Sequence, residues 1–190
     1  MKYITIIGSR NITDTEFFTL QRLASSLHGM GYILRSGGAD GADSTIQHLR
    51  NIEIYIPWDG FNNFHHNNQT IFELGRLPDQ VLAKKKAMEI HPAPQKLTQG
   101  ALKLHTRSIY QVIGFRGGNG VKSDAVIYCA DDSNDLKQLP LGGTRTAVAY
   151  AKELGIPTYN IRNMLSQYQD ESKLLSELLG RIGGEQNVRN

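Results

Sequence analysis

The chain has 190 residues, is 39% hydrophobic and 21% charged, and carries a formal net charge of +3. That is an ordinary soluble globular composition, long enough to bury a core without disulfides or metal. The single cysteine, Cys129, excludes an internal disulfide and fits a reducing compartment. No apolar stretch approaches membrane-spanning length, and the mild positive charge permits anionic partners without demanding nucleic acid. The start of the chain lacks a signal-peptide layout, so a cytoplasmic location is expected.

In chain order, Tyr3 to Ile7 is a β-branched apolar run that stops at Gly8 and reads as a buried first strand. Thr13 with Glu16 forms a capping-box pattern. The helix that follows carries Phe17, Leu20, Leu23, Ala24 and Leu27 and ends near Gly29 or Gly31. Tyr32 to Arg35 is the second strand, a helix is expected from about Ala42 to Arg50, and Ile52 to Pro57 is the third strand. Within it, Glu53 between Ile52 and Ile54 is expected at a polar rim.

Residues 58–75, rich in Asn, His, Phe and Gly, show no period and read as a long functional loop. Trp58, Phe61 and Phe64 there could stack on a base as a lid or pin the loop to the core. His65 and His66 lack further ligands at metal spacing, and no metal is expected. Helices follow from about Pro78 to Ile90 and, after Pro94, to about Ile113. Lys96, Lys103, His105, Arg107 and Tyr110 of the second are expected on a solvated face, with Arg107 able to reach a pocket. Gly117 to Gly120 reads as a turn, Asp124 to Ala130 as a buried strand, Ala147 to Leu154 as a helix closed by Gly155, and Ile156 to Ile161 as a late strand. The remainder, with Leu165, Leu174, Leu175, Leu178 and Leu179, reads as a terminal amphipathic helix. We expect one domain over residues 1–182, with a loop and helical insertion at about 58–115, and a flexible tail over 183–190. Strand–helix alternation with apolar strands implies a parallel sheet covered on both faces.

Three glycine-bearing turns stand where a strand hands over to a helix: Gly8-Ser9-Arg10, Ser36-Gly37-Gly38-Ala39-Asp40-Gly41-Ala42-Asp43, and Gly142-Gly143-Thr144-Arg145-Thr146. In an open parallel sheet such turns share the carboxyl edge, where main-chain amides and helix N-termini suit a phosphate. Ser36 and Ser44 can donate to phosphate oxygens, and Arg10 and Arg145 can offer a planar fork. Thr144 and Thr146 can cap a helix, bind phosphate, or both. Asp43 reads as a cap or turn brace. Asp40 could cap as well, and it is the candidate for a ribose contact or a catalytic carboxylate, with Asp124 behind it. Cys129, inside an apolar run, reads as a buried structural thiol.

These motifs, together with Asp124-Ala125-Val126-Ile127 and Gly155-Ile156-Pro157, resemble the SLOG superfamily, which unites DprA (Smf) domains with the LOG phosphoribohydrolases. The resemblance covers roughly residues 3–161 and is nearest to stand-alone DprA-like, YpsA/YspA-type and phage-encoded members. It implies an α/β, Rossmann-like fold and a pocket for nucleotides or nucleotide-derived molecules. It leaves three activities open: binding or sensing of such a ligand, N-glycosidic hydrolysis of nucleoside monophosphates, and DprA-like binding of single-stranded DNA. The LOG pattern Pro-Gly-Gly-x-Gly-Thr-x-x-Glu is not kept. Leu141 replaces the proline, Arg145 the third glycine, and Ala149 stands where the acid is expected. No cofactor is implied. Relatives often self-associate, and the C-terminal leucines suit either an oligomer or packing on the sheet.

Overall fold

A computed structural model describes residues 1–115, 120–132, 139–168 and 170–184. β1 (Lys2–Gly8), β2 (Tyr32–Ser36), β3 (Glu53–Ile56), β4 (Ile71–Glu73), β5 (Ala125–Cys129) and β6 (Thr158–Asn160) form a single sheet in the order β4-β3-β2-β1-β5-β6. Every pairing is parallel, as Ile4↔Leu34 and Ile6↔Ile127 illustrate. β1 is buried from Tyr3 to Ile7 and β5 along its whole length, because helices cover both faces. This is the Rossmann-like α/β architecture.

The strands divide the core by their two-residue period. Ile4, Ile6, Leu34, Ile54 and Ile127 pack with Leu20, Leu23 and Leu27 of α1 (Asp14–Gly29). Leu174, Leu178 and Ile182 of α6 (Glu171–Gly184) join the same cluster, so the terminal leucines at 174 and 178 lie in the core. Ile7, Val126 and Tyr128 pack with Val148 and Ala151 of α4 (Gly142–Glu153). Tyr55 and Phe72 pack with Ala83 and Ala87 of α2 (Gln80–Ile90) and Ile109 of α3 (Gln99–Ile113).

Several boundaries differ from expectation. Where a helix was expected from Ala42 to Arg50, a 3-10 helix spans Gly41–Ile46 and turns follow. The aperiodic 58–75 segment contains β4, an edge strand too short to show alternation, which pairs with β3. The terminal helix is two helices, α5 (Ile161–Gln167) and α6. α6 continues through Gly184. Gly183 and Gly184 of the expected 183–190 tail therefore belong to a helix, while residues 185–190 of that tail and 117–119 of the expected 117–120 turn lie outside the described residues.

Glu53 is not at a polar rim. It is fully buried and pairs with the equally buried Arg35, Nε to carboxylate oxygen at 2.7 Å. The Tyr55 hydroxyl donates to the same oxygen at 2.8 Å. Arg35 also donates to the Val121 carbonyl at 2.6 Å and lies over the Tyr3 ring at 3.8 Å. A charge survives at such a depth only when its partners replace water.

Candidate functional site: a cleft at the switch point of the sheet

The chain builds outward in one direction from β1 through β2, β3 and β4, then returns to place β5 and β6 on β1's other side. The reversal leaves a crevice at the carboxyl ends of β1 and β5. A cleft of about 360 Å³ lies there. It is lined by the first turn (Gly8, Ser9, Arg10), by Ala39 and Asp43 of the second, and by Leu141, Gly142, Gly143 and Thr144 of the third. The remaining wall is α3, through Leu104, His105, Arg107, Ser108 and Gln111 among others.

The first two turns brace one another. Ser9 N–H donates to the Cys129 carbonyl at 2.8 Å, and Ala42 N–H to the Ser9 carbonyl at 3.1 Å. The Asp43 carboxylate collects the amides of Gly8 (3.2 Å), Gly37 (3.1 Å) and Ala39 (3.5 Å). The Ser36 hydroxyl donates to the Asp43 carbonyl at 3.1 Å. The second turn is thus an amide nest filled by the protein's own carboxylate, the bracing role expected of Asp43.

Arg107 stands over that carboxylate, Nη1 to Oδ2 at 3.5 Å, and both side chains are almost wholly buried. With the Gln111 carboxamide oriented to satisfy both its atoms, its oxygen accepts from Arg107 Nη1 at 2.9 Å and from Gly37 N–H at 2.8 Å. The Arg107 Nε atom is buried without a hydrogen-bond partner. Burial raises the Asp43 carboxyl pKa despite the opposing effects of Arg107 and the amides. Burial likewise lowers that of Arg107, with Asp43 opposing and Arg10 adding to the effect. Each partner carries a desolvation cost that the other only partly offsets.

Gly142 has φ of +66°, and Leu141, the N-cap of α4, has no side-chain capping bond to the first amides of the helix. Leu141, Gly142, Gly143 and Thr144, at the positive end of the helix dipole, line the same cleft as Arg10 and Arg107. His105 Nδ1 lies 2.6 Å from the Thr146 hydroxyl and ties α3 to this helix start. Burial, then His91 and Arg107, lowers the imidazole pKa to about 4, so the ring is neutral.

Of the residues expected at the site, Gly8, Ser9, Arg10, Asp43, Gly142, Gly143 and Thr144 line the cleft, and Ser36, Gly37, Gly38, Asp40, Gly41, Arg145 and Thr146 do not. Gly38 packs against Ile54 and Phe64, and Gly41 against the Ser9 and Arg10 carbonyls. Asp40 is solvent-exposed and meets Asn62 at 3.5 Å. No residue of 58–75 lines the cleft; Trp58, Phe61 and Phe64 pack on the core instead. Arg107 was read as able to reach a pocket, but the rest of the α3 wall was not foreseen, and His105, Arg107 and Tyr110, expected on a solvated face, are buried. Leu104, Arg107, Ser108 and Gln111 do recur at i, i+3, i+4 and i+7, one helical stripe, and that spacing was the available signal. Among the described residues, no group of His, Cys, Asp and Glu is placed to hold a metal ion, and no helix is long and apolar enough to cross a membrane.

Fold and cleft together define a Rossmann-like α/β protein with a cleft at its switch point, lined by Arg10, Arg107 and Asp43 among others. No protein-family model matches the chain, and no curated protein matches it significantly. Among solved structures it is similar to DNA processing protein A from Helicobacter pylori, a structure reported for a unique single-stranded DNA binding mode. The two share 18% identity with a TM-score of 0.57, over 95% of this chain and 81% of that one. At that identity the likeness is one of fold.

Proposed function

We propose that the cleft binds a nucleotide or nucleotide-derived ligand through its phosphate. The observation that carries this reading is that the start of α4, whose N-cap Leu141 makes no side-chain capping bond, lines the same crevice as Arg10 and Arg107. The amides and Arg10 supply donors and positive charge, and Arg107, tied to Asp43 and Gln111, adds charge from the wall. The second glycine turn acts indirectly: its amides hold Asp43, which holds Arg107 in the wall. The resemblance of the glycine turns to the SLOG superfamily, and the fold shared with a DNA processing protein, support a nucleotide over another phosphate ester.

Isothermal titration against a panel of nucleotides tests the reading. Arg10 is exposed, so Arg10→Ala leaves the fold intact and should weaken binding about tenfold, the effect of removing one charge-assisted contact. Absence of binding by the wild type, or affinity untouched by this change, overturns it.

A second reading, binding of single-stranded DNA, is favoured by the similarity to DNA processing protein A. It predicts an electrophoretic shift with a short oligonucleotide, with affinity falling steeply as salt displaces the phosphate contacts. Glycosidic hydrolysis has less support. Asp43 is the one carboxylate among the described residues lining the cleft, and it is committed to three amides and Arg107. Ala149, in place of the superfamily's acid, is buried.

A further inference from the structure

The polar side chains of the cleft are largely committed to the protein itself. Asp43 is held by amides and Arg107, and Gln111 by Gly37 and Arg107. Ser108 Oγ donates to the Leu104 carbonyl at 3.0 Å, and His105 is joined to Thr146. Among the described residues, the lining left for a guest includes Arg10 and the start of α4, which are polar, and Ala101, Leu104 and Leu141, which are aliphatic.

Leu141 breaks two local rules at once. It occupies an N-cap, where Ser, Thr, Asp or Asn would satisfy an orphan amide, and it is a large apolar side chain left 78% exposed. Conflicts of this kind between local preference and fold concentrate at functional positions. The buried, unpartnered Nε of Arg107 in the same wall is an independent sign that a polar guest completes the site.

We propose that Leu141, with Leu104 and Ala101, is a shelf for the base of the bound nucleotide, and that the site accepts nucleoside phosphates regardless of base. This deepens the phosphate reading above and rests on it. Strong discrimination between bases needs free donors and acceptors whose loss leaves a buried polar group unpaired. An aliphatic shelf provides none, and it favours any flat ring by removing apolar surface from water.

The test is calorimetric titration of wild type and Leu141→Ala with the 5′-monophosphates of adenosine, guanosine, cytidine and uridine, and with ribose 5-phosphate. Alanine adds no capping hydroxyl, so the phosphate end is unaltered. The four nucleotides should bind within about threefold of one another, each about tenfold tighter than ribose 5-phosphate, the increment of apolar burial on one leucine. Leu141→Ala should lose that increment and leave ribose 5-phosphate unchanged. One nucleotide favoured by more than about tenfold overturns base indifference. Nucleotides no tighter than ribose 5-phosphate overturn the shelf while the phosphate site stands. No binding by any of the five overturns both.

Discussion

At Gly37 a β-carbon would collide with the Arg107 guanidinium and with the Asp43 carboxylate. The glycine therefore admits an arginine from another element, and its amide is one of those that hold Asp43. A turn rich in glycine, serine and aspartate announces amides arranged around an anion. The anion is Asp43 of the same turn, but its partner Arg107 lies 64 positions further along the chain, and local sequence does not reveal that pairing. His105 makes a related point. Its free-chain pKa of 6.5 falls to about 4 in the fold, so the folded state binds the proton less well than the unfolded chain. The stability this contributes is complete above 6.5 and is lost as pH falls toward 4. The groups facing the ring are His91, Arg107 and Thr146. His105→Gln should flatten the fall of melting temperature between about pH 7 and 4, followed by calorimetry at each pH. An equal slope in both proteins would show that the imidazole is not held neutral.

Elements with strong internal signals were legible. The Thr13–Glu16 capping box closes in both directions, at 3.2 and 2.7 Å, and α1 starts where the pattern places it. β1 and β5 were equally clear, since a buried parallel strand is a continuous apolar run between glycines or turns. The segment after the second glycine turn was not. Ala42, Thr45 and Ile46 are buried, but Ser44 and Thr45 return hydrogen bonds to Gly41 and Ala42 carbonyls, and the helix stops after six residues. Helix α4 carries the prediction that belongs to this scale. Leu141→Ser supplies the missing cap and should raise unfolding free energy by about 1 kcal/mol in urea denaturation. The same hydroxyl then competes for the amides assigned to phosphate, so nucleotide affinity should fall as stability rises. A stabilised variant with undiminished affinity would remove the helix start from the site.

At the scale of the whole molecule, the buried Arg35–Glu53 pair joins β2 to β3, and Arg35 reaches the Val121 carbonyl in the segment leading to β5. Glu53→Ala would strand a guanidinium in the core and should cost about 3–5 kcal/mol. The double change Arg35→Met with Glu53→Leu should recover much of that loss, because no charge then remains unpaired. Urea unfolding of both single variants and the double closes a mutant cycle. A double variant as unstable as the sum of the singles would show that the pair is not the cause.

Composition, turn chemistry and the spacing of apolar residues were enough to establish a parallel α/β sheet with glycine turns at its carboxyl edge, because each of those signals acts over a few residues. The order β4-β3-β2-β1-β5-β6, the burial of Arg35 and Glu53, and the approach of α3 to Asp43 were decided by tertiary structure. Strand order and charge pairing depend on which distant segments meet. A buried ion and a solvated one look identical in sequence until the fold removes the water around one of them.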